Sequence, residues 1–99
     1  ELDDVTARVL GTVDLIPAGR VASYGDIAAL AATGPRQVGR IMSRHGHLTC
    51  WWRVVRADGT SAVADRAAAH WDAEGIGHRE AASINRRNTV RMTRLRGYP

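Results

Sequence analysis

The feature that most constrains this chain is the tripeptide Thr33-Gly34-Pro35, which interrupts sequence of helical character on both sides. Gly34 permits a sharp turn. Pro35 has its φ fixed near the helical value and lacks an amide hydrogen, so it suits the first position of a new helix. Upstream, Ser23 is a good N-cap with Asp26 at the third helical position, a weaker variant of the capping box. A helix is therefore expected from Tyr24 to about Ala32. Downstream, Val38, Ile41, Met42 and His45 trace the inward face of the next helix. Two short helices joined by a tight Gly-containing turn form a helix-turn-helix pattern. Its outward face carries Arg36, Gln37, Arg40 and Arg44, the right chemistry for a nucleic-acid backbone. The pattern alone is weak, because helix pairs of this kind are common in domains that bind nothing.

The rest of the chain supplies a frame for this pair. Leu2, Val5, Val9, Val13 and Ile16 recur at three- and four-residue steps, which predicts a first helix that Pro17 and Gly19 should end. A short extended piece, Arg20 to Ala22, leads into Ser23. After Gly46, the run Leu48-Thr49-Cys50-Trp51-Trp52-Arg53-Val54-Val55 is rich in β-branched and aromatic residues, and Asp58-Gly59 closes it, so a strand and a turn are expected. Asp65 to Glu74 reads as a helix with Ala68 and Trp71 inward and Gly75 as its C-cap. The tail from Ile84 to Pro99 is Arg-rich and offers no clear pattern. There is no internal repeat and no low-complexity linker.

The chain has 99 residues, which suits one compact domain over 1–99, mainly α with a small β element. Phe is absent, so core volume must come from Val, Ile, Leu, Ala and three tryptophans. The net charge is +4, and all fourteen basic residues are Arg. Arg pairs bidentately with phosphate and stacks on bases, so nucleic acid is the leading partner class, with a solvated Arg surface as the plainer alternative. A single cysteine, Cys50, forms no intramolecular disulfide and leaves no Cys pair for zinc. No metal or cofactor is expected, and a reducing, cytoplasmic setting fits best. No stretch is apolar and long enough to span a membrane, and no basic-then-apolar leader precedes Leu2.

Three ordered segments carry a family resemblance. Ile16-Pro17-Ala18-Gly19-Arg20-Val21-Ala22-Ser23-Tyr24-Gly25-Asp26-Ile27-Ala28 is similar to an IPxGxVxSYGxIA motif. Arg36-Gln37-Val38-Gly39-Arg40-Ile41-Met42 is similar to an R-x-V-G-x-x-M/L helix, and Arg53-Val54-Val55 with the Asp58-Gly59 turn matches the tail of PCHRVV. Together they resemble the DNA-binding, active-site domain of the O6-alkylguanine-DNA alkyltransferases and their non-catalytic relatives, the alkyltransferase-like proteins. The likeness covers nearly the whole chain. It implies a winged helix-turn-helix-like domain whose second helix enters the minor groove. Arg36 stands where the family keeps an Arg finger that replaces an extruded guanine in the stack, a task suited to a planar cation. Tyr24 matches a Tyr that helps rotate the target's 3′ phosphate and lines the pocket mouth; the plainer reading is a half-buried core Tyr. Gly39 matches the small residue that lets the helix approach the groove. Ser23, Gln37, Arg40, Arg44 and Arg53 are the further DNA contacts expected.

In the repair proteins the PCHRV cysteine attacks the O6-alkyl carbon, and the adjacent His, working through water with a Glu, takes the thiol proton. Aligned on Arg53-Val54-Val55, the Cys position is Trp51 and the His position is Trp52. Indole has no lone pair free to attack carbon or accept a proton, so no catalytic residue is expected. Were Trp51 on an extended segment, Cys50 would point the opposite way, as an inert thiol without a base beside it. Trp51 can instead offer a stacking or edge surface to a base held in the pocket. Trp52 is the third candidate for the pocket, although filling core space where the His stood is the preferred reading of it. The family's usual Pro-Trp-His-Arg is Cys50-Trp51-Trp52-Arg53 here, and the glycine- and tyrosine-containing segment after the turn is not recognisable in Thr60-Ser61-Ala62-Val63. The loop over the pocket is thus expected to be shorter or more open.

The resemblance implies a monomer that binds double-stranded DNA containing O6-alkylguanine and passes the lesion to nucleotide excision repair proteins. Two alternatives stay open at this point: a winged-helix regulator without lesion specificity, and an alkyltransferase that uses Cys50.

Overall fold

The computed structural model describes residues 3–78, so Leu2 and the Arg-rich tail lie outside the described residues. Four α-helices stand among the described residues: α1 (Asp4–Val13), α2 (Tyr24–Ala31), α3 (Pro35–His45) and α4 (Ala64–Glu74). Two strands, β1 (Ala22–Ser23) and β2 (Val54–Val55), pair in parallel, with Ala22 opposite Val54 and Ser23 opposite Val55. This is the mainly helical class with a small β element that the pattern predicts.

Local chemistry accounts for the helix boundaries. Asp3 caps α1 by accepting from the Thr6 amide at 2.8 Å, and that hydrogen bond holds its carboxyl below the usual range. Ser23 Oγ accepts from the Asp26 amide at 3.1 Å and starts α2. Pro35 opens α3 directly after an extended N-cap at Gly34. The sharp reversal between α2 and α3 sits elsewhere than the sequence suggests. It lies at Ala32, whose φ of 59° and ψ of 50° are left-handed, while Gly34 is extended. A C-cap at this point lets the Thr33 amide reach the Ala28 carbonyl at 2.9 Å, which closes the end of α2. The left-handed conformation costs a non-glycine residue about 1 kcal/mol or more, and packing of α2 against α3 must offset it.

The parallel strand pair divides the interior into two clusters. Because alternate residues of a strand face opposite sides, Ala22 and Val54 join one cluster while Val21 and Val55 join the other. The first holds Val9, Val13 and Ile16 with Ile27, Val38 and Ile41, so it is the core of α1, α2 and α3. The second gathers Ala67, Trp71 and Ile76 from α4 and the chain just beyond it. Ala67, rather than the expected Ala68, is the fully buried alanine of α4; Trp71 is fully buried as expected and Gly75 is its left-handed cap.

The expected strand from Leu48 to Val55 is mostly absent. Gly46–Leu48 and Trp51–Arg53 form single 3₁₀ turns, and only Val54 and Val55 form a strand. Only Ala22 and Ser23 pair with it, because the chain turns into α2 at Tyr24; a β-rich composition has no further ladder to join. The turn at Asp58-Gly59 is present, with Gly59 at φ 87° and its amide bonded to the Arg56 carbonyl at 2.8 Å.

Candidate nucleic-acid interface

Helix α3 presents its cations as a stripe. Arg36, Arg40 and Arg44 recur every four residues, are all exposed, and make no hydrogen bond or ion pair among the described residues. Gln37 lies beside them, half-buried. Arg36 is the second residue of the helix, where the macrodipole is unfavourable to a cation, so its internal environment gives it nothing.

Behind the stripe lies an open cavity of about 580 Å³, within the range of small-ligand sites. It is lined by Tyr24, by Gly39, Met42 and Ser43 of α3, by Gly46 and His47 just after that helix, by Trp51 and Val54, and by Ala62, Val63 and Arg66. Register explains the meeting of Tyr24 and Trp51. The β1–β2 pair fixes Ser23 beside Val55, which brings the first turn of α2 to the 3₁₀ turn that carries the tryptophan. Tyr24 is half-buried, and it both packs on the first core cluster and lines the cavity. Gly39 is the more informative residue: a Cβ built on it would meet nothing within 4 Å. An interior helical glycine costs about 1 kcal/mol against alanine, and nothing inside the protein requires it.

The Trp51 indole has no lone pair free to accept an alkyl group, and the one imidazole among the described lining residues is that of His47. Cys50 does not line the cavity. Its Sγ lies 3.5 Å from the Val13 carbonyl and packs on the first core cluster, half-buried. The expected direction is right but the expected cause is not, since Trp51 begins a 3₁₀ turn rather than continuing a strand. Thr49 on the same stretch is tied to the Asp14 carboxylate.

Two expected site residues lie elsewhere. Arg53 is turned inward: its Nε and Nη2 donate to Glu74 at 3.0 and 2.5 Å, and its Nη1 donates to the Ile16 carbonyl at 2.9 Å. With its side chain 16% exposed, Arg53 is an internal clamp joining the chain just beyond α1, the 3₁₀ turn and the end of α4. Trp52 is likewise outside the cavity. Its Nε1 donates to Glu74 Oε2 at 3.0 Å, and its ring stacks on His70 at 4.0 Å. Ser23 Oγ accepts from the Asp26 amide, which leaves its hydroxyl hydrogen and a second lone pair for another partner.

Glu74 is the residue that sequence reasoning missed. It accepts from Arg53, Trp52 and the Gly19 amide, the last at 3.1 Å. The Arg53 hydrogen bonds, helped by Gly19 and Trp52 and opposed by burial, hold its carboxyl down at about 2. Nothing in its spacing marks it, because it is one acidic residue at the end of a helix. Arg66 was missed for the same reason, although its guanidinium lies 6.0 Å from the Trp51 ring centroid.

Guanidiniums reaching out from the second helix of a helix-turn-helix, with no partner among the described residues, are the arrangement of a DNA-binding domain. Its family is specific: residues 4–81 match the DNA-binding domain of 6-O-methylguanine DNA methyltransferase, and the chain belongs to that family. It is 42% identical over 62 residues to the DNA base-flipping proteins of Escherichia coli and Shigella flexneri. That match covers 59% of this chain and 48% of theirs, so the chain spans about half the length of the curated relatives it matches. Among solved structures it is similar to S. pombe Atl1 in complex with damaged DNA containing O6-carboxymethylguanine. There the TM-score is 0.71 and the identity 29%, over 85% of this chain and 87% of that one. A second structure, S. pombe ATL in complex with DNA, gives a TM-score of 0.72 at 27% identity over 91% and 97% of the two chains. A variant of the Mycobacterium tuberculosis OGT matches at a TM-score of 0.64 and 27% identity, over 75% of this chain and 50% of that one. The alkyltransferase-like resemblance and the fold class expected from the sequence are thereby borne out. No helix of the described residues is long and apolar enough to cross a membrane.

Proposed function

We propose that this chain recognises O6-alkylguanine in double-stranded DNA and holds the damaged base without repairing it. The single observation that carries the reading is Trp51 in the lining of the cavity, where the repair proteins keep their acceptor thiol, with no cysteine among the described residues that line it. Helix α3 approaches through the minor groove, where Gly39 leaves room for the backbone. Arg36 enters the stack as the finger that replaces the extruded guanine, while Arg40, Arg44 and Gln37 hold phosphates. Tyr24 guides the rotating phosphate, and the base rests against Trp51. Base–aromatic contact is worth about 1 to 3 kcal/mol, enough to offset part of the unstacking cost. The names of the relatives support this reading, since one is a base-flipping protein and another was captured on DNA containing O6-carboxymethylguanine.

Because the lesion leaves unrepaired, its recognition serves as a flag, and the consumer is nucleotide excision repair. The working unit is one domain acting as a monomer in the cytoplasm, associated with the nucleoid through DNA. The test compares binding to matched duplexes containing guanine or O6-methylguanine, followed by the intact mass of the protein. Preference for the lesion with unchanged mass is expected. Equal affinities would instead describe a winged-helix regulator, and a mass gain of one alkyl group would describe an alkyltransferase using Cys50.

A further inference from the structure

The cavity wall is set by residues that do not line it. Trp51 leans edge-on against two rings: Trp52 at 5.7 Å between centroids and 89° between planes, and His70 at 5.4 Å and 78°. Those two rings are stacked on each other at 4.0 Å and 11°. Trp52 is itself fixed at three points, since its N–H reaches Glu74, its carbonyl accepts from Trp71 Nε1 at 2.7 Å, and its ring lies against His70. An indole with a free face would pay rotamer entropy each time a base settled on it. Here that freedom is already removed by a buttress anchored on α4.

We propose that His70 and Trp52 determine lesion specificity as positioning residues, by fixing the tilt of Trp51 against the extruded base. The proposal rests on the lesion-recognition reading and adds to it a role for α4. Neither residue lies on α3, so the cationic stripe that holds phosphates is independent of the buttress. Loss of the buttress therefore lowers discrimination between damaged and undamaged DNA and leaves undamaged binding as it was. The stack also gives Trp52 a purpose that core filling alone does not, because His70 is exposed and no packing requirement places an aromatic ring there.

The experiment uses His70→Ala and His70→Phe in the full chain. His70 is exposed, so neither substitution threatens folding. Binding is measured on matched duplexes with guanine and O6-methylguanine, and the circular-dichroism couplet of the paired indoles is recorded without DNA. Expected for His70→Ala is a roughly three- to tenfold loss of the lesion-to-guanine affinity ratio, the equivalent of one edge-on aromatic contact. Affinity for undamaged DNA should hold, the couplet should weaken, and His70→Phe should restore both ratio and couplet. An unchanged ratio in His70→Ala overturns the proposal. If the wild-type protein itself shows no lesion preference, it is the functional reading that fails. The positioning claim then rests on the couplet, and a couplet unaltered in His70→Ala overturns it.

Discussion

Replacing Glu74 by Gln tests whether one carboxylate joins the two halves of the interior. Glu74 ties α4 to Arg53 and Trp52 of the 3₁₀ turn and to Gly19 beyond α1. A carboxyl held at about 2 instead of 4.5 corresponds to roughly 3 kcal/mol of stability at neutral pH. Its side chain is 15% exposed and that of Arg53 is 16%, so solvent screens the pair only in part. Glutamine keeps the shape and can still accept from Trp52 or Gly19, but it leaves the Arg53 guanidinium without its counter-charge. A loss of about 2 to 3 kcal/mol is expected, read as a shift in urea midpoint at constant slope. The pH dependence gives a second handle. Because the folded value lies below the ordinary one, the stabilisation is complete above about pH 5 and disappears as pH falls toward about 2. The gap between wild type and Glu74→Gln should therefore close across that window. A gap under about 0.5 kcal/mol at neutral pH, or one that is as wide near pH 2 as at pH 7, would refute the reasoning.

Three further outcomes are expected. Arg36→Ala should weaken binding to O6-methylguanine duplexes more than Arg40→Ala, because only a finger compensates for the vacated stack; equal losses would reduce Arg36 to a phosphate contact. Gly39→Ala should raise thermal stability by about 0.5 to 1 kcal/mol while weakening DNA binding, since the added methyl meets open space inside the protein and the groove outside it; unaffected binding would argue against close approach. Ala32→Gly should stabilise the fold by about 0.5 to 1 kcal/mol by relieving the left-handed backbone, and a loss of stability in chemical unfolding would contradict that.

What the sequence determined by itself is what short-range chemistry controls. The cap at Ser23, the helix start at Pro35, the inward residues of α1 and α3, the Arg stripe and the absence of an acceptor at Trp51 depend on residues within a few positions of each other, so local rules reach them. The ordered motifs extended this to the family, because their residues stand at matching spacing. Tertiary structure decided the rest. Arg53 is adjacent in sequence to the pocket tryptophan, yet its guanidinium turns inward, since an acidic residue 21 positions away waits at the end of α4. Trp52 leaves the cavity for the same carboxylate, and the run from Thr49 to Arg53 forgoes strand geometry because β1 offers only two residues to pair with. A β-rich composition states what a segment would do beside a partner strand. Only the packed chain decides whether that partner is there.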